Sequence, residues 1–257
     1  MRRYLNLIRN ISNWWTYLAD KLGGLHTDPL FFKTRSGVKI EVPRRLLQTF
    51  KEIFFDECYM RGLENRVLSS PIILDVGANA GYFSLFAASR FPNARILSFE
   101  PIPVNYRMLE QNKNLNPQCD INTFPIAVAG RSGEIKLSFD PNDSFTTSAT
   151  IYKNNDSRNQ ELTVSCISID DIFEEHGIEK CDLLKMDCEG AEYDIIYNCP
   201  DTIFPRIDQI AMEVHTGSEP TWNIESMAAF LQGKGYSTRQ MPVSILFAWH
   251  KNPSLNS

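Results

Sequence analysis

Ile72-Ile73-Leu74-Asp75-Val76-Gly77-Ala78-Asn79-Ala80-Gly81-Tyr82-Phe83 is an apolar run that ends in an acid, turns through small residues and continues into an apolar helical pattern. That order predicts a strand, a tight turn and a helix at the start of an open parallel α/β sheet. In such sheets a ligand lies beyond the carboxyl ends of the strands, where the strand order switches. Gly77 and Gly81 lack the Cβ that would hold a backbone away from a ligand. A second apolar run, Arg95 to Phe99, ends in Glu100. A carboxylate at that point can accept hydrogen bonds from both hydroxyls of a ribose. The two segments together point to a nucleoside cofactor.

The turn excludes two common nucleotide sites. A dinucleotide fingerprint needs glycine at the first, third and sixth positions. Counted from Gly77, the third and sixth are Asn79 and Tyr82. The phosphate loop that ends in Gly-Lys-Ser/Thr is absent. What remains, Asp75-x-Gly77-x-Asn79-x-Gly81 followed by Glu100-Pro101, resembles the first motif and acidic loop of class I methyltransferases that use S-adenosylmethionine. The resemblance implies a Rossmann-like α/β fold, with a mostly parallel seven-stranded sheet and helices on both faces. It also implies a cofactor site of Asp75, Gly77, Asn79, Gly81, Glu100, Pro101 and Ala127. Asp75 and the turn would hold the amino-acid end, whose ammonium suits an acid. Glu100 would hold the ribose, and the Ala127 region the adenine.

Strands and helices alternate downstream. Pro103 to Asn114 reads as a helix with proline in its first turn. Ile121 to Phe124, Asp182 to Met186 and Ile207 to Val214 read as the third, fourth and fifth strands. Glu134 to Phe139 and Leu162 to Ile167 read as further strands. Asn223 to Gly233 reads as a helix, and Tyr236 to Trp249 as one or two terminal strands. Ser168 with Asp171 resembles a helix start. The loop from Asp140 to Gln160, crowded with Asn, Asp, Ser and Thr, is long enough to be a lid over an acceptor.

A second chemical cluster follows the fourth strand: Lys185-Met186-Asp187-Cys188-Glu189-Gly190-Ala191-Glu192. The fifth strand runs into Met212-Glu213-Val214-His215. In a sheet of order 3-2-1-4-5 the ends of strands one, four and five are neighbours. Asp187, Glu189 and His215 are therefore the candidate catalytic residues, orienting an acceptor and removing its proton. Lys185 shares a strand face with Asp187. A buried lysine needs a carboxylate, and Glu213 or Asp187 is its expected partner. Asp187, Glu189 and His215 could also hold a divalent metal. The metal-free arrangement, with His215 as base oriented by a carboxylate, is the preferred expectation.

The first 60 residues read as a helical extension with an edge strand, and 61–257 as the catalytic domain. Tyr4, Ile8, Ile11, Trp15, Leu18 and Leu22 recur at helical spacing and form one stripe. With Arg2, Arg3 and Arg9 nearby, peripheral membrane contact is one reading. Packing on the domain or on a second subunit is the preferred one. Gly23-Gly24 ends the helix. Val38 to Val42 alternates like an edge strand, and Arg45 to Tyr59 reads as a second helix.

Composition sets limits. The 257 residues carry a net charge of −5 and 43% hydrophobic residues. The acidic balance argues against a nucleic-acid partner. No apolar run approaches the ~20 residues of a membrane span. Six cysteines without C-x-x-C spacing suit a reducing, cytoplasmic setting.

Asp75 to Gly81, Phe99-Glu100-Pro101, Ala127 before the Gly130-x-x-Gly133 turn, and Leu184 to Glu192 together resemble the FkbM-type methyltransferase family. Phe50 to Phe54 with Tyr59 resembles the segment that precedes the first motif there. Cys188 stands where that family would carry an aliphatic residue. The resemblance implies O-methylation of a hydroxyl on a sugar, glycan or polyketide-like natural product. The Asn/Asp-Pro-Pro-aromatic element of base and amide methyltransferases is absent after the fourth strand. Two other readings are a non-catalytic methyltransferase-like binding domain and a nicotinamide-dependent dehydrogenase.

Overall fold

The computed structural model describes residues 2–63, 69–139, 160–242 and 244–250. In chain order the elements are α1 (Arg2–Asn10), α2 (Trp15–Lys21), β1 (Leu30–Lys33), β2 (Lys39–Val42), α3 (Leu47–Phe54), β3 (Ile72–Val76), α4 (Tyr82–Arg90), β4 (Arg95–Phe99), α5 (Pro103–Asn114) and β5 (Asp120–Phe124). There follow β6 (Ala127–Val128), β7 (Gly133–Phe139), β8 (Gln160–Ile167), α6 (Ile169–Glu175), β9 (Leu183–Met186), α7 (Glu192–Asn198), β10 (Gln209–Glu213), α8 (Ile224–Gly233), β11 (Tyr236–Met241) and β12 (Ile245–His250).

The main sheet has seven strands in the order β11-β12-β10-β9-β3-β4-β5. β10, β9, β3, β4 and β5 run parallel, and β12 is antiparallel to both β10 and β11. Along each central strand, alternate residues face opposite cores, as the two-residue period requires. Ile73, Ile96, Leu183, Ala211 and Phe247 pack with Leu7, Ile11, Phe50, Phe54 and Phe86. Leu74, Leu97, Leu184, Ile210 and Leu246 pack with Ile172, Phe173, Tyr193, Ile196 and Leu231. Burial on both faces explains why these strands read as near-continuous apolar runs. Ser168 accepts from the Asp171 amide at the start of α6, and Asn223 accepts from the Ser226 amide at the start of α8.

Several sequence expectations change. β2, expected as an edge strand, pairs with β1 in a ribbon separate from the main sheet. Its other edge is satisfied by α5 and the turn after it, where Asn116 and Asn112 accept from the Lys39 and Glu41 amides at 2.7 and 2.8 Å. β6, β8 and β7 form a third, small sheet. The N-terminal helix is broken between Asn10 and Trp15, and Ile11 bridges to Thr34 instead. Its proposed apolar stripe is split: Tyr4, Ile8, Trp15 and Leu22 are exposed, Leu22 to 85%, while Ile11 is buried and Leu18 packs against the core. The inward face is Asn6, Leu7, Asn10 and Ile11. Two asparagines can lie inside because they donate to the Phe55 and Phe54 carbonyls at the end of α3, at 2.8 and 2.7 Å. Those carbonyls have no partner within their own helix. Residues 140–159 of the expected lid lie outside the described residues; Gln160 opens β8. Among the described residues no helix is long and apolar enough to cross a membrane.

Candidate active site

A cavity of about 670 Å³ opens beyond the carboxyl ends of β3, β4, β9 and β10. Its inner half is walled by Gly77, Ala78, Asn79, Phe99, Glu100, Pro101, Ile102, Ala127 and Val128. Its outer half is walled by Lys185, Asp187, Cys188, Glu189 and Glu213, with Gln48, Glu52, Asp56 and Tyr59 from α3 and the turn after it.

Glu100 is buried at the end of β4. Its carboxylate accepts from the Asn79 amide at 2.8 Å and the Ile102 amide at 2.9 Å. Burial raises its pKa to about 7, against the lowering effect of those amides. Beside it, the Asn79 Oδ1 is buried without a hydrogen-bond partner. Asn79 takes the left-handed conformation, φ +50°, which asparagine tolerates better than most residues.

Asp75, Gly81 and His215 are not among the residues that wall the cavity. Asp75 is 0% exposed, accepts from the Ser84 hydroxyl and pairs with Lys185 Nζ at 3.1 Å. It is therefore not positioned to meet the amino-acid end of a ligand. The partner of Lys185 is Asp75 and neither Glu213 nor Asp187, because the parallel register sets Asp75 opposite Lys185 across β3 and β9. Burial opposes the lysine charge, but Asp75 and then Asp187 outweigh it and raise the Lys185 pKa. Nζ also donates to the Gly77 carbonyl at 2.8 Å, tying the strand pair to the turn.

The clearance at the two glycines serves the protein itself. A Cβ on Gly77 would sit 1.8 Å from the Asp187 carbonyl oxygen, and one on Gly81 would sit 2.6 Å from Leu109. The turn after β3 and the turn after β9 are thus in direct backbone contact.

The second cluster comes together as the strand order requires. β9 and β10 are parallel neighbours with Met186 opposite Met212, so Asp187 and Glu213 emerge side by side. Asp187, Glu213 and His215 each present a ligand atom within 4.8 Å of the others. Glu213, rather than Glu189, completes that set. Tyr59 Oη lies 2.8 Å from Asp187 Oδ2 and 3.3 Å from Glu213 Oε2. His215 Nδ1 faces Glu192 Oε1 at 3.1 Å, and Nε2 faces Glu189 Oε2 at 3.4 Å. Burial opposes the imidazolium, but Glu192, Glu189 and Asp187 raise the His215 pKa to about 9. With both ring nitrogens facing carboxylates, the protonated ring is favoured, so His215 does not stand ready as the expected base. Burial raises Glu189 to about 7 and raises Glu213, the latter with help from Asp187. Glu189 itself holds a left-handed conformation, φ +53°.

Tyr59, Glu213 and Glu192 join the site beyond the predicted set. Glu213 was findable, since it lies two residues from His215 at the same strand end. Tyr59 depends on how α3 packs, which no local pattern reports.

The chain is similar to proteins of one family. Residues 75–238 match the Methyltransferase FkbM domain family. The chain is 28% identical over 215 residues to the 31-O-demethyl-FK506 methyltransferase FkbM of Streptomyces tacrolimicus, covering 73% of this chain and 80% of that one. It is 24% identical over 222 residues to the hexuronic acid methyltransferase AglP of Haloferax volcanii, covering 84% and 86%. Among solved structures, the methyltransferase FkbM of Methylobacillus flagellatus KT has the same fold, with a TM-score of 0.52 at 14% identity. That alignment covers 80% of this chain and 54% of the other, so the chain spans about half of that relative's length. With the match to the family running over more than half of its length, the chain belongs to the FkbM methyltransferase domain family.

Proposed function

We propose that the chain transfers a methyl group from S-adenosylmethionine to a hydroxyl of a sugar, glycan or polyketide-like acceptor. The carrying observation is one continuous cavity that joins the buried Glu100 to the carboxylate cluster at the ends of β9 and β10. Three features of its inner half support this cofactor. Glu100 keeps acceptor capacity for a ribose beyond its two amide bonds. The Asn79 Oδ1 has no partner in the protein. Phe99, Ile102, Ala127 and Val128 make an apolar slot for a flat base. Gly77 and Ala78 border the amino-acid end.

When bound, the cofactor supplies an electrophilic methyl on a good leaving group. The protein's task is then to align the acceptor and take its proton. Glu189 is assigned the proton, because its only polar partner among the described residues is the 3.4 Å contact with His215. Asp187 and Glu213 accept hydrogen bonds from acceptor hydroxyls, and Tyr59 holds both carboxylates in place. His215 orients Glu189. The preference for oxygen is supported by the name of one relative, which gives an O-methyl position, and a sugar acceptor by the name of the other, which gives a hexuronic acid.

Calorimetric titration with S-adenosylmethionine tests the cofactor. Glu100→Ala removes charge-assisted hydrogen bonds worth ~1.5–3 kcal/mol each and should weaken binding roughly tenfold or more. Radiolabelled methyl transfer to a panel of sugars, uronic acids and polyketides tests the reaction. Glu189→Gln should lower kcat by about 10²-fold or more with cofactor affinity retained. Cofactor binding without turnover on any acceptor would make the chain a binding domain instead.

A further inference from the structure

We infer that Asp187, Glu213 and His215 form a binding site for a divalent cation of the Mg²⁺/Mn²⁺ class, placed at the acceptor end of the cavity. The three ligand atoms lie within 4.8 Å of one another and come from the ends of two hydrogen-bonded parallel strands. Two carboxylates and one imidazole suit a hard to borderline divalent ion that keeps several waters.

The surroundings carry the assignment beyond a cluster of acids. Metal-binding histidines are oriented by a carboxylate on their other nitrogen, which fixes the tautomer and raises ligand basicity. Glu192 does this for His215: Oε1 faces Nδ1 at 3.1 Å and is itself fixed by the Cys188 amide at 3.1 Å. Nε2 faces the cluster, where its only polar contact among the described residues is the long one to Glu189, and it gives up its proton to solvent as the ion binds. Glu192 is 0% exposed, and its second oxygen is buried with no hydrogen-bond partner. A carboxylate oxygen buried without a hydrogen-bond partner carries a desolvation cost that a nearby cation offsets. Its neighbours add to that cost. Asp187, Glu189, Glu192 and Glu213 converge on one histidine, while the nearby Lys185 is already paired with Asp75 at 3.1 Å. A cation at this point balances the charge that the protein leaves open.

The role of the ion rests on the proposed methyl transfer; its binding does not. A cation there holds the acceptor oxygen and lowers the pKa of its hydroxyl. The O–CH₃ bond forms as the S–CH₃ bond breaks, the sulfonium becomes a thioether, and the hydroxyl proton passes to Glu189.

The test uses the full chain stripped with chelator and titrated with Mn²⁺ alone, read by paramagnetic resonance of the free ion and by calorimetry. One ion per chain is expected, displaced by excess Mg²⁺. Glu213→Gln and His215→Ala should each weaken Mn²⁺ binding tenfold or more, while the remote Glu225→Gln should not. Unchanged affinity for S-adenosylhomocysteine shows that the variants are folded. Tyr59→Phe, which keeps all three ligands, should still bind Mn²⁺. No stoichiometric binding, or binding equal in wild type and both ligand variants, overturns the site. Stoichiometric Mn²⁺ binding without methyl transfer to any acceptor would overturn the proposed reaction and leave the site standing.

Discussion

Lys185 shows how much one residue can decide. It is buried and compensates a carboxylate that has no access to water. Removing one member of such a pair typically costs ~3–5 kcal/mol, because the other charge stays buried alone. Lys185→Met should therefore lower stability by about that amount in urea unfolding. Asp75→Asn added to it should recover part of the loss; full additivity of the two changes would mean that they do not interact. Glu100 makes a prediction in pH. The ionised carboxylate is the form that accepts ribose hydroxyls, so cofactor affinity should fall as pH drops through about 7. One unit below that pKa the loss should be roughly tenfold, and Glu100→Gln should abolish the pH dependence. For the unliganded fold the sign is opposite. A folded pKa raised above the ordinary 4.5 means that stability is lost as pH rises from that ordinary value to about 7, and levels off above it. Both residues were visible in the sequence as strand-end charges. Glu100 lines the cavity where expected, whereas Asp75 turned inward to Lys185. Apolar patterns locate strands, but a pairing across two strands far apart in sequence depends on register, which they do not carry.

At the level of elements, the contact between the turns after β3 and β9 is the most exacting. Gly77→Ala would place a methyl 1.8 Å from a backbone oxygen, at a φ of +71° that alanine resists. The backbone cannot yield as a flexible side chain would. The variant should lose both thermal stability and cofactor binding; a wild-type melting temperature would disprove the packing. Gly233 is the contrast. It lies at the end of α8 without a positive φ, and a methyl added there would meet nothing within 4 Å. Gly233→Ala should leave stability unchanged or raise it by about 0.4–1 kcal/mol. The parallel strands were legible because two-sided burial writes continuous apolar runs. The N-terminal helix was legible as a helix but not in its orientation. Periodicity assigns the apolar stripe to the core, yet Asn6 and Asn10 face inward to meet carbonyls that α3 leaves open. The need for those donors belongs to α3 and is invisible in α1.

Over the whole molecule, the five parallel strands sit between two apolar layers, while the β1–β2 ribbon lies outside the main sheet. Amide exchange should accordingly be slowest in β3, β9 and β10 and faster by orders of magnitude in β1. Uniform protection across the two sheets would contradict that division. The seating of one turn on the other, Gly77 against Asp187, also bears on how such a protein can diversify. Any insertion after β9 aimed at a new acceptor would jar the turn that borders the cofactor. Gln48, Glu52 and Asp56 build the outer wall from a separate part of the chain. New acceptor preferences are therefore most readily bred, in the laboratory or in evolution, by changing the cavity-facing side chains of α3 while leaving the paired turns and the buried face of α3 untouched.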